Sequence, residues 1–188
     1  MADLKLIVGN RNTSGESLPP YLALSHIGQP FERELAEPGA LVPALDGVIG
    51  AREVCEHLAE RFPAAQLWPK FEDARQDALA LLKAPWPALQ SQLPFLFLAK
   101  KTMPKLSADA ARELSALDAV WRRTREKYEG VGPWLLGEFS LADCMAAPLA
   151  SRALTWGLPL DAAYVQTVFS LPAMKRWGEA AALDAAGR

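Results

Sequence analysis

Two cysteines and two histidines are all that the 188 residues carry. That scarcity removes several chemistries at once. Cys55 and Cys144 have no Cys-x-x-Cys spacing, which speaks against a redox pair and against a thiolate zinc site. His26 and His57 are too few to build a metal centre, although Asp or Glu can supplement them, and no metal is expected. A His–Cys nucleophilic pair stays open at this level, beside plain structural roles for all four residues. An excess of one charge is also missing. Lys and Arg number 20 against 22 Asp and Glu, so no strong field draws nucleic acid or an anionic membrane, and neither is expected as a partner. No run of about 18 apolar residues occurs, which argues against a membrane-spanning helix. The first residues, Met-Ala-Asp-Leu-Lys-Leu-Ile-Val, lack the basic region and apolar stretch of a signal peptide. A soluble, cytoplasmic protein is expected.

What is present points to a folded chain. Apolar residues make up 51% and charged residues 22%, enough to bury a core and too apolar for disorder. The first sixty residues alternate strand and helix signals. Leu4–Val8 is a β-rich run, about 20–27 reads as a helix, and Phe31–Leu35 as a second strand. Leu41–Leu45 is a third extended segment, and Asp46-Gly47 is a hairpin turn leading into Val48-Ile49. Over 52–62 the apolar set Val54, Cys55, Leu58, Ala59 and Phe62 shares one helical face. This is a small α/β unit, placed at residues 1–63.

Beyond Pro63 the pattern turns helical, and residues 70–188 read as an all-α unit. Pro85, Pro87 and Pro94 are expected to break the stretch over 71–100. Ser107 caps a helix whose apolar positions Ala110, Leu114, Leu117, Trp121, Thr124 and Tyr128 step by four and three. Ser140-Leu141-Ala142-Asp143 is a capping box, and Ser170 with Pro172 opens a last helix through Trp177.

Several of these pieces carry a resemblance. They are Asn12 to Leu18 after the first strand, Val42-Pro43-Ala44-Leu45, Glu56 to Pro63, Gly137 to Asp143, and Leu171 to Met174. With them the chain resembles the glutathione transferase superfamily, in its serine-type branch that includes maleylacetoacetate isomerases of the zeta class. The resemblance implies a thioredoxin-like N-terminal domain, an all-helical C-terminal domain and a homodimer. It further implies a glutathione site on the first domain and an apolar second-substrate site between the two. The branch reads Ser-Ser-x-Ser-x-Arg where this chain has Ser14-Gly15-Glu16-Ser17-Leu18-Pro19. Ser14 matches the serine that stabilises the glutathione thiolate. Its alternative role is an ordinary residue of a strand-to-helix turn. Val42-Pro43 matches the family's cis peptide, whose backbone faces the cysteinyl part of glutathione.

Three departures from the family pattern bear on function. Gly50 and Ala51 stand where the family carries an acidic residue and a serine for the γ-glutamyl group, so only the Ala51 amide and the helix start remain for an anion. Loss of one such charged partner costs about 1.5–3 kcal/mol. Only Ala36–Ala40 separates the second and third strands, too short for the family's helix. Five extended residues still reach roughly 17 Å, enough to cross directly over two strand spacings, about 9.5 Å in all. Finally, Leu81, Leu82, Trp86, Phe95 and Leu96 replace polar residues usual in relatives. They either pack the core or make the substrate cleft more apolar, in which case Trp86 and Phe95 contact a small apolar ligand. Two functions follow as expectations: a serine-type transferase, isomerase or lyase acting on a small apolar electrophile through a weakened glutathione site, or a non-catalytic relative that binds an apolar ligand or a protein.

Overall fold

Leu4, Leu6 and Val8 are buried while Lys5 between them is exposed, the period-two alternation of a strand with one face on the core. In the computed structural model, which describes residues 4–97 and 99–185, this strand β1 (Leu4–Val8) lies inside a four-stranded mixed sheet. The order is β2-β1-β3-β4, with β2 (Phe31–Leu35), β3 (Ala44–Leu45) and β4 (Val48–Ile49). β1 and β2 run parallel, from Leu4 opposite Phe31 to Val8 opposite Leu35. β3 is antiparallel to both β1 and β4. Asp46 and Gly47 both take left-handed φ, 52° and 81°, as the tight hairpin between β3 and β4 requires.

The crossover from β1 to β2 is α1 (Leu18–Ile27), with every residue from Leu18 to Leu24 buried. A helix apolar on all sides must be covered on all sides. Here the sheet, α2 (Ala51–Arg61) and α6 (Leu141–Trp156) enclose it. The helix starts two residues before the expected Pro20. Pro19 and Pro20 fall in its first turn, where a missing N–H leaves no hydrogen bond unmade. Between Leu35 and Val42 there is no helix, as expected. Ala36 pairs with the Val8 carbonyl at 2.8 Å and a turn closed by Ala40 on Glu37 leads directly across. The extended segment expected over 41–45 is a strand only at Ala44–Leu45.

The helical half consists of α3 (Glu72–Lys83), α4 (Pro87–Gln92), α5 (Ala108–Tyr128), α6, α7 (Ala162–Phe169) and α8 (Pro172–Ala185). The break between α3 and α4 falls at 84–86, beside Pro85 and Pro87. Ser107 caps α5 by accepting the Ala110 amide at 3.2 Å, and the Ser140–Asp143 box caps α6. Two features differ from expectation. α8 continues well past Trp177, and α7 is an additional helix capped by Asp161, which accepts the Ala163 and Tyr164 amides. One apolar core runs from the sheet through α1 and α6 to Trp121, Tyr164 and Trp177.

Candidate active site

The segment after β1 is fixed before it reaches Ser14. Thr13 and Ser14 donate their amides to the Asn10 carbonyl at 3.1 and 2.7 Å, which folds the chain back as a turn. A single 3₁₀ turn, Gly15–Ser17, then leads into α1. Residues of α8 hold the turn from outside. Asp184 accepts both the backbone amide and the guanidinium of Arg11, at 2.9 and 2.5 Å. The Asn12 amide group donates to the Ala181 carbonyl at 2.7 Å, and the Trp177 indole donates to the Arg11 carbonyl at 3.2 Å. The Phe97 amide closes on the Asn12 carbonyl at 3.0 Å.

Ser14 then sits against two neighbours. Its Oγ lies 2.8 Å from Ser17 Oγ, and Ser17 Oγ accepts the Gly9 amide at 3.0 Å. A Cβ placed on Gly9 would stand 2.8 Å from Ser14 Cβ and Oγ and 3.1 Å from Val42 Cγ2. Glycine at position 9 is what leaves room for both Ser14 and Val42 at the end of β1. The Val42–Pro43 peptide is cis. The Pro43 carbonyl accepts the Gly50 amide at 2.9 Å, which brings the cis peptide beside the start of α2 at Ala51. No side chain caps that helix start, and a Cβ on Gly50 would run into the carboxylate of Glu53. Glu53 therefore covers the place a side chain at position 50 would fill.

On its other side Ser14 lines a cavity of about 580 Å³ between the two halves of the chain. Leu81 and Leu82 of α3, Trp86, Gln90, Phe95, and Trp121 of α5 form much of the wall. Glu16 and Arg152 supply its charges. Arg152 is only 9% exposed. Its Nε donates to the Leu93 carbonyl at 2.8 Å, its Nη1 to the Pro148 carbonyl at 3.4 Å, and its guanidinium carbon is 5.7 Å from the Phe95 ring centre. Burial pulls its pKa below the usual guanidinium value, and the charge of Glu16 opposes that.

Ser14, Trp86 and Phe95 thus share one cavity, whereas Val42, Pro43 and Ala51 lie outside its lining; of these only Val42 comes up to Gly9 beside Ser14. Phe95, at 3% exposure, is both core and cavity wall, while Phe97 packs on Phe95 and Phe169 outside the lining. The residues of the direct crossover, 36–41, do not line the cavity either. A His–Cys nucleophile is not assembled. Cys55 and Cys144 are fully buried, with burial pushing both thiols up. His57 sits 3.8 Å from Asp46, and His26 packs on the Phe139 ring. Among the described residues no group of three or more His, Cys, Asp or Glu side chains gathers as a metal site. Arg152 escaped the sequence reading. Its signal was a single cation in the otherwise uncharged stretch that follows the capping Asp143 in α6.

No protein-family model and no curated protein matches this sequence. Solved structures do. A maleylacetoacetate isomerase from Anaeromyxobacter dehalogenans 2CP-1 with bound GSH in its active site superimposes with a TM-score of 0.66 at 20% identity, over 93% of this chain and 94% of that one. A glutathione transferase homologue from Burkholderia gl BGR1 with bound glutathione gives 0.69 at 18% identity, over 95% and 97%. An unclassified glutathione S-transferase from Bombyx mori gives 0.70 at 22%, over 95% and 93%. This chain therefore has the fold of the glutathione transferases, a small mixed sheet followed by a helical half.

Proposed function

We propose that the protein is a serine-type, zeta-like transferase, isomerase or lyase that uses glutathione against a small electrophile. One observation carries the reading: the Ser14 hydroxyl stands at the wall of the cavity, against Gly9 and bonded to Ser17, with Val42 on the same glycine. Bound glutathione would supply a thiol, which is a strong nucleophile only as the thiolate. The residues present fit that group through backbone more than through side chains. Val42 and Pro43 would align its cysteinyl part, and the uncapped start of α2 at Ala51 would receive a carboxylate. Ser14 would donate its proton in a hydrogen bond to the sulfur and hold the anion at neutral pH. Trp86 and Phe95 would exclude water from the second substrate. The division into units at 1–63 and 70–188, a homodimer and a cytoplasmic setting belong to the same proposal.

A second reading, a non-catalytic binding protein, is favoured by Gly50 and Ala51, by the Glu53 carboxylate beside them and by the missing crossover helix. Calorimetric titration with glutathione separates the two. Binding at millimolar concentration or tighter, with conjugation of a reactive aryl halide that falls by about ten- to a thousandfold in Ser14→Ala, is the expected result. Absence of glutathione binding would favour the second reading, and full activity in Ser14→Ala would end the serine mechanism.

A further inference from the structure

A buried cation facing a cavity states the charge of what the cavity takes. Arg152 is enclosed by neutral groups: the Leu93 and Pro148 carbonyls and the face of Phe95. A guanidinium has five N–H donors, and only two hydrogen bonds from it, one of them long, reach the protein among the described residues. Nη2 has no acceptor among those residues, and no carboxylate among them forms an ion pair with the group. Glu16, the other charge on the lining, is exposed and acts on Arg152 only through space. A guanidinium this largely desolvated, without a counter-ion and open only to the cavity, gains from a bound anion there. The rest of the wall, Leu81, Leu82, Trp86 and Trp121, accepts an apolar body.

We infer that the cavity binds an aromatic or other apolar acid, with its carboxylate on the free edge of Arg152 and its body against Trp86 and Leu82. Carboxylate is the preferred head group because the planar guanidinium fork matches its two oxygens. About 580 Å³ is ample for such a molecule and lies within the usual range of small-ligand sites. The inference rests on the reading above only in taking this cavity as the place of the second ligand, and it adds a charged head group to the apolar ligand expected from the sequence.

Calorimetry with 2-naphthoate and its uncharged isostere 2-naphthamide, both without glutathione, tests it. The native protein should bind the acid about ten- to a hundredfold tighter than the amide, the usual worth of hydrogen bonds to a charged group. In Arg152→Met that preference should fall below about twofold while the amide binds as before. Should Arg152→Met fail to fold, Glu16→Gln carries the test: removing the opposing charge should tighten the acid and leave the amide unchanged. Equal affinities in the native protein, no binding of either probe, a preference that survives Arg152→Met, or an acid affinity unmoved by Glu16→Gln overturns the inference. A protein that prefers the acid but ignores glutathione would retain this site and lose the transferase reading. One that binds glutathione without preferring the acid would do the reverse.

Discussion

The hydroxyls of Ser17 and Ser14 lie 2.8 Å apart, and the surroundings of Ser17 decide which of them donates. Ser17 is completely buried, and its oxygen already accepts the Gly9 amide. Ser14 is the single acceptor in reach of its proton among the described residues. Ser17 therefore donates to Ser14, and the Ser14 proton is left to point towards the cavity.

Ser17→Ala should then weaken Ser14 as a donor without moving the chain. With glutathione and a reactive aryl halide, turnover should fall by roughly tenfold and the pH–rate profile should shift to higher pH, because a thiolate with a poorer donor forms later. Glutathione affinity should stay within about twofold. An unchanged profile alongside lower turnover would reduce Ser17 to a packing residue.

Asp143 joins three segments. It accepts from the Leu135 amide at 3.1 Å, from Ser140 through amide and hydroxyl at 2.9 and 3.2 Å, and from the Tyr164 hydroxyl at 2.9 Å. Asp143→Ala should cost roughly 2–4 kcal/mol, since a lost cap and two orphaned buried donors act together. Burial pushes the carboxyl up to about 6, with the four hydrogen bonds acting in the other direction. The unfolded carboxyl ionises near about 3.9. The folded state holds this proton more tightly, so stabilisation from proton binding at Asp143 is full below about pH 4 and is lost as the pH rises through about 6. Urea melts of native protein and Asp143→Ala should diverge further as the pH drops from 7 to 4; a constant gap would refute the raised value.

Arg11 and Asp184 form a buried pair, with side chains 11% and 2% exposed. Asp184→Ala leaves Arg11 uncompensated and should destabilise by about 3–5 kcal/mol. Arg11→Met combined with Asp184→Leu should recover most of that in chemical denaturation, because an apolar pair needs no counter-ion. No recovery would mean that the Arg11 amide bond to Asp184, which Leu cannot replace, is the larger part.

The strands at 4–8, 31–35 and 48–49 and the caps at Ser107 and Ser140 were legible because each is written in adjacent residues: alternation, a turn pair, a hydroxyl before a helix. The helix expected over about 20–27 starts at Leu18, because the first turn of a helix tolerates Pro19 and Pro20. α7 was passed over because its cap, Asp161, precedes only eight helical residues. In the site, Ser14, Trp86 and Phe95 could be named from the chain. Arg152 shows in the sequence as the one cation of α6, but that it has no ion-pair partner among the described residues is visible only in the fold.

The clamp of α8 on the turn after β1 has a consequence for how the protein is made. Ser14 and the sheet are translated well before α8, yet the partners of Arg11 and Asn12 are at Trp177, Ala181 and Asp184. A nascent chain that has already paired β1 with β2 still lacks the struts that set this turn. The turn after β1 therefore acquires its final geometry only once α8 has been made, and a chain still lacking α8 carries Ser14 on an unbraced turn.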